Sequence, residues 1–176
     1  MWKKISSKII FKHPRLTLIE DKVNLPNGSK TTYLKFKDVG NAATIICQSK
    51  DGKILLQKEY SYPINKRLFQ FPGGYIPNHE SLKKGANWEL MEEAGLKAKD
   101  LKFIGKYFVN HRRSGAKIYV YLTHNFDKKS LSGDIEEEIT SFWFIEKGID
   151  LMIKKGKIIN SSVLAAWSLY KANKKN

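Results

Sequence analysis

Eight of the seventeen acidic residues in this 176-residue chain fall into two short segments. Glu80, Glu89, Glu92 and Glu93 form the first, and Asp134, Glu136, Glu137 and Glu138 the second. Thirty-two Lys and Arg surround them and leave a formal charge of +15. Crowded carboxylates repel one another unless a positive charge stands between them. A hard divalent cation held by oxygen ligands is the natural neutraliser, and it can polarise an oxygen or activate a water.

Other residue types suit a phosphorylated ligand. His111-Arg112-Arg113-Ser114-Gly115 is a basic segment whose guanidinium forks match phosphate geometry, notably at Arg112 and Arg113. Trp2, Tyr60, Tyr62 and Phe71 offer rings on which a nucleobase could stack. The excess base, with a sequence pI near 9.8, attracts polyanions of several kinds. It is nearly all lysine and runs along the whole chain, whereas a nucleic-acid surface usually concentrates arginine among aromatics.

The elements that must carry these residues read as follows. Strands are expected over 7–12, 15–24 and 31–38, with a turn at Leu25-Pro-Asn-Gly-Ser. The apolar run 42–48, turned at Asp51-Gly52 into Lys53–Tyr60, is expected as a hairpin with Cys47 in its core. Residues 68–76 form a strand broken at Pro72-Gly73-Gly74. A helix runs from about Ser81 to Ala94, closed by Gly95 in a left-handed cap. Strands follow near 101–109, 116–123 and 140–145. A helix near 146–155 and another near 161–172 end the chain, the last with Val163, Trp167 and Tyr170 on one face.

On the 81–94 helix, Leu82, Ala86 and Leu90 make one apolar stripe at about 100° per residue. Glu89 and Glu93, four residues apart, fall along its edge, and Glu92 lies one step further round. Lys83, Lys84, Asn87 and Met91 are expected on the other side. Carboxylates beside a buried stripe are costly unless neutralised.

These residues resemble the Nudix hydrolase signature, Gly-x5-Glu-x7-Arg-Glu-U-x-Glu-Glu-x-Gly-U with U aliphatic. Gly74, Glu80, Glu89, Leu90, Glu92, Glu93, Gly95 and Leu96 match eight of its nine specified positions across 23 residues. The ninth, an arginine in the family, is Trp88 here. Leu25-Pro-Asn-Gly, the Lys53–Pro63 segment and Leu68–Gly74, with Gln70-Phe71-Pro72-Gly73-Gly74 before the box, are similar to the ADP-ribose pyrophosphatase branch, although Ser61 stands where that branch has an arginine.

The resemblance implies an α/β Nudix fold, a mixed β-sheet sandwiched between helices, with an antiparallel strand-rich N-terminal extension. Residues 1–39 would be that extension, serving dimerisation or substrate, and 40–176 the catalytic domain with its box at 74–96. It further implies Glu89 and Glu93 as principal Mg²⁺ ligands (Mn²⁺ being the alternative), with Glu92 supporting and the Gly73 carbonyl as backbone ligand. Glu80 and Trp88 would lie behind them. The catalytic carboxylate would come from 134–138, Glu137 foremost and Glu136 and Glu138 beside it. Arg112, Arg113, Tyr60 and Trp2 would contact substrate.

The expected activity is Mg²⁺-dependent cleavage of the pyrophosphate in a nucleoside diphosphate-sugar such as ADP-ribose, giving a nucleoside monophosphate and a sugar phosphate. The alternatives are a weakly catalytic nucleotide- or RNA-binding module, or a hydrolase of dinucleoside polyphosphates or RNA caps. A homodimer is expected on the branch's pattern, with a small nucleotide as the first partner and RNA behind it. At 41% hydrophobic and 12% aromatic the chain can bury a core. Its single cysteine excludes a disulfide framework and Cys-based zinc sites. With no apolar run near membrane-span length and no signal-peptide core, a cytoplasmic protein with no membrane partner is expected.

Overall fold

The computed structural model describes residues 1–37, 40–132 and 138–174. It divides into two compact units, one of Met1–Val39 with Phe108–Ala116, the other of Gly40–Tyr107 with Lys117–Asn176.

The first unit is an antiparallel sheet of β1 (Lys3–His13), β2 (Leu16–Asn24) and β3 (Lys30–Phe36) in that order. Leu25-Pro-Asn-Gly-Ser makes the expected turn, closed by the Leu25 N–H donating to the Ser29 carbonyl at 2.8 Å. The register of β1 against β2 shifts between Lys4 and Ser6 and again between Ile9 and Phe11, so β1 carries two irregularities. Arg113 belongs to this unit: its carbonyl accepts from the Phe36 N–H at 2.7 Å.

The second unit holds two larger sheets and a short two-stranded ladder. A mixed sheet runs in the order β7 (Tyr75–Pro77), β4 (Gly40–Cys47), β10 (Lys117–Thr123), β9 (Lys102–Phe108). Here β4 and β10 are parallel and β4 and β7 antiparallel. An antiparallel sheet runs in the order β12 (Thr140–Phe144), β5 (Ile54–Ser61), β6 (Lys66–Gln70). A short ladder joins β8 (Leu96–Ala98) to β11 (Phe126–Lys128).

Side chains alternate across each strand, and the two apolar clusters follow that period of two. Ala43, Ile45, Cys47 and Leu55 pack with Ala86 and Leu90 of α1 (Leu82–Ala94). Ile46, Ile54, Leu56 and Val120 pack instead with Ile149 of α2 (Glu146–Lys154) and with Val163, Ala166, Trp167 and Tyr170 of α3 (Ser161–Asn173). The sheets thus lie between α1 on one side and α2 and α3 on the other. Each fully buried Ile or Leu in these layers contributes roughly 1.5–3 kcal/mol.

Two expectations need correction. The 42–48 and 53–60 strands do not form a hairpin. One isolated bridge, Gln48 to Ile54, links them, and the Asp51-Gly52 turn passes the chain from the mixed sheet to the antiparallel one. Both strands are buried on both faces, so each takes partners within its own layer. Met91 was expected away from the apolar stripe, yet it is buried. The segment after β11 crosses over it, the Leu131 N–H donating to the Met91 carbonyl at 3.2 Å.

Candidate active site

Pro72-Gly73-Gly74 links β6 in one sheet to β7 in the other, running beside β4 as it does so. The Pro72 carbonyl accepts from the Ile45 N–H at 2.8 Å and the Gly74 carbonyl from the Ala43 N–H at 2.9 Å. The carbonyls on either side of Gly73 are therefore held by β4. Gly73 itself has φ of 145°, and a Cβ there would lie 2.1 Å from the Ala43 carbonyl oxygen. Only glycine allows this approach.

Opposite that turn stands the last part of α1. The Gly73 N–H donates to Glu93 Oε2 at 2.9 Å. The Glu89 carboxylate rests on Gly74, where a Cβ would be 2.5 Å from Oε2. The i, i+4 spacing puts both acids on one helix face, and each is half-buried. Gln57, fully buried on β5, donates Nε2 to the Glu93 carbonyl at 3.0 Å and so fixes the helix end. Gly95 then closes α1 in the left-handed conformation, φ 64°, its N–H reaching the Leu90 and Met91 carbonyls.

Among the described residues no three His, Cys, Asp or Glu side chains come together as a ready-made cage. Two carboxylates meeting at a main-chain turn nonetheless fit a hard cation such as Mg²⁺. That ion is usually held by one or two carboxylates together with the substrate's phosphates. A small cleft of about 150 Å³ opens beside the turn, lined by Thr44, Gln70, Phe71, Gly73, Gly74 and Ser162.

The other expected residues are distributed less tightly. Glu92 is exposed, and Glu80 is half-buried at the entry to the helix. Trp88 is 37% exposed, and the Lys84 ammonium sits 4.5 Å from its ring centroid. Glu138 is exposed and ion-paired with Arg67 of β6. Glu136 and Glu137 lie outside the described residues.

Phe71 is buried and stacks on Trp167, which makes it a core ring. Tyr60 is partly exposed, its hydroxyl donating to Asn65 Oδ1 at 2.9 Å. In the first unit Trp2 meets Tyr33 edge to face, and Arg113 lies over the Tyr33 ring while donating to the Leu34 carbonyl at 2.9 Å. The Arg112 carbonyl accepts from the Tyr33 hydroxyl.

One bracing residue belongs to no motif. Gln57 is a polar residue inside the apolar run Ile54-Leu55-Leu56, and that break in pattern was its only signal. Gln70 donates to Glu59 across β5 and β6, tying together two of the three segments that carry the likeness to the ADP-ribose pyrophosphatase branch.

Comparison with known proteins places the chain among relatives of one family. The chain is 25% identical over 136 residues to the ADP-ribose pyrophosphatase of Bacillus subtilis (strain 168), covering 77% of this chain and 73% of that one. It is 28% identical over 127 residues to the ADP compounds hydrolase NudE of Escherichia coli (strain K12), covering 72% and 68%. A crystal structure of an ADP compounds hydrolase shares the fold with a TM-score of 0.86 at 20% identity, over 97% of this chain and 92% of that one. The NUDIX domain matches residues 39–166, and with those residues spanning most of its length the chain belongs to the NUDIX domain family.

Proposed function

We propose that this protein is an Mg²⁺-dependent hydrolase that cleaves the pyrophosphate of a nucleoside diphosphate-sugar, ADP-ribose foremost, into a nucleoside monophosphate and a sugar phosphate. The convergence of Glu89 and Glu93 on the Gly73–Gly74 turn carries this reading. The names of the two relatives, both acting on ADP compounds, support the substrate class.

Glu89, Glu93 and the Gly73 carbonyl would hold the cation, with Glu92 supporting from the exposed side of the helix. Bound there, Mg²⁺ supplies neutralisation of phosphate oxygens and a lowered pKa for a coordinated water. The protein's own work is positioning. Gly74 leaves room for the Glu89 carboxylate, the Gly73 N–H holds that of Glu93, and Gln57 anchors the carbonyl of Glu93. Glu137, or Glu136 or Glu138 beside it, would accept the proton of the attacking water.

Two further parts of the reading concern the whole chain. Ile5, Ile9, Ile10 and Phe11 of β1 are each about half exposed, apolar side chains that a second copy would cover in a homodimer. No described helix is long and apolar enough to cross a membrane. The lone Cys47 is a free, buried thiol, which suits the reducing cytoplasm.

The test is chromatographic measurement of AMP released from ADP-ribose. Turnover is expected with Mg²⁺, to vanish with EDTA, and to fall at least about a hundredfold in Glu93→Gln. Equal turnover in EDTA, or an unimpaired Glu93→Gln enzyme, would overturn the assignment.

A further inference from the structure

Around α1 from the carboxylates, two neighbouring surface pockets share Lys84 and Asn87. Lys84 lies roughly 140° round the helix from Glu89 at the usual helical turn per residue. The larger pocket, about 610 Å³, is lined by Lys83, Lys99 and Lys102 with Asp100 and the helix-capping Ser81. The smaller, about 340 Å³, is lined by Trp88, Met91, Lys97, Lys129 and Leu131. Six lysines therefore border one groove, and the first turn of α1 contributes no acid to offset them.

The side chains there are disposed for a ligand of particular shape. Among the described residues, Lys99 is the one lysine of the six held in an ion pair, with Asp127 at 2.9 Å. Asn87 is fixed as a floor, bonding both the N–H and the carbonyl of Ala98 at 2.8 and 2.9 Å. Trp88 keeps about a third of its surface open at the groove's edge, and the Lys84 ammonium over its ring, 4.5 Å from the centroid, must swing aside onto a phosphate for a base to stack on that face.

A single phosphate would call for donors converging on one point, usually with an arginine fork. Lysines strung along two adjoining pockets match instead a ligand with charges at intervals. An exposed tryptophan among them suits an unstacked base, and a positive groove with an aromatic platform is how unpaired strands are held.

We propose that this groove docks single-stranded nucleic acid, with the lysines on successive phosphates and Trp88 against a base, at a site separate from the carboxylates of the Gly73–Gly74 turn. A duplex is disfavoured because its bases are already stacked and offer Trp88 no open face.

Fluorescence anisotropy with fluorescein-labelled twelve-nucleotide RNA and DNA strands tests this, in EDTA so that no hydrolysis intrudes. The two strands distinguish the sources of such a ligand, and binding of either supports the site. Affinity is expected to fall steeply between about 50 and about 200 mM KCl, with a log–log slope of about −3.5 to −4 for five or six phosphates. Lys97→Glu combined with Lys102→Glu and Lys129→Glu is expected to weaken binding more than tenfold and to flatten the slope by about 2.

Trp88→Leu is expected to weaken binding about tenfold without changing the slope, because stacking releases no counterions. Thermal melts by circular dichroism check that each variant is folded. Wild-type affinity in a folded triple variant would overturn the proposal, as would a salt slope near zero. So would tripolyphosphate bound as tightly as the oligonucleotide.

Discussion

Glu89 lies so close to the α-carbon of Gly74 that one added methyl group cannot fit without moving the carboxylate. Gly74→Ala is therefore expected to raise the Mg²⁺ concentration needed for half-maximal turnover by tenfold or more while changing the melting temperature little. Titrating activity with Mg²⁺ against a parallel thermal melt separates the two effects, and an unchanged Mg²⁺ requirement would refute the proposed ligand role. Gln57 acts through Glu93 rather than on substrate. Its Oε1 has no hydrogen-bond partner among the described residues, while Nε2 holds the Glu93 carbonyl. Gln57→Ala removes that bond and leaves a carbonyl unmet, a loss of about 1–3 kcal/mol by urea denaturation. Trp88→Arg places a cation one helical turn before Glu92, an attractive i, i+4 pair, and a gain in turnover on ADP-ribose is the expected result. A slower enzyme would show that the tryptophan is suited to this chain's own chemistry.

Among the secondary elements, α1 is defined by its ends. Gly95 sits in the left-handed region at φ 64°, which costs any residue with a Cβ about 1 kcal/mol or more, so Gly95→Ala should lower stability by at least that amount in a denaturant titration. The α2–α3 pair is locked by charge instead. Glu146 accepts from the Tyr170 hydroxyl and the Lys174 ammonium, each at 2.8 Å. Asp150 accepts from the Trp167 indole at 2.8 Å and the Lys171 ammonium at 2.9 Å. Burial pushes both carboxyls up, but for Glu146 the bonds from Lys174 and Tyr170, and for Asp150 those from Trp167 and Lys171, outweigh it. Each pKa ends below its ordinary value. A carboxyl whose folded pKa is depressed contributes its full stability above the unfolded pKa and loses it as pH falls through the folded one. Melting temperature should therefore drop below about pH 4.5, and Glu146→Gln with Asp150→Asn should flatten that drop. An identical acid profile in the double variant would remove the clamp from the account.

At the scale of the whole molecule, the half-exposed apolar residues of β1 predict self-association. Sedimentation at micromolar concentration is expected to show twice the 20.3 kDa chain mass, whereas a species of 20.3 kDa would rule out the dimer. What could be read in the residues and what could not divide by range. The i, i+4 acids, the Gly95 cap, the Pro72-Gly73-Gly74 break and the buried face of Val163, Trp167 and Tyr170 follow from helical period and local backbone sterics, which travel with the sequence. The layer each strand joins does not. Two apolar runs joined by a tight turn look like a hairpin, yet 42–48 and 53–60 separate into different sheets because both are buried on both faces. Met91 likewise became core only when the segment after β11 covered it. The sequence by itself determined which acids share a helix face and where the chain must turn. Tertiary structure alone decided that this face meets the Gly73–Gly74 turn and that Gln57 braces it, since those contacts join residues far apart in the chain through packing that no local pattern encodes.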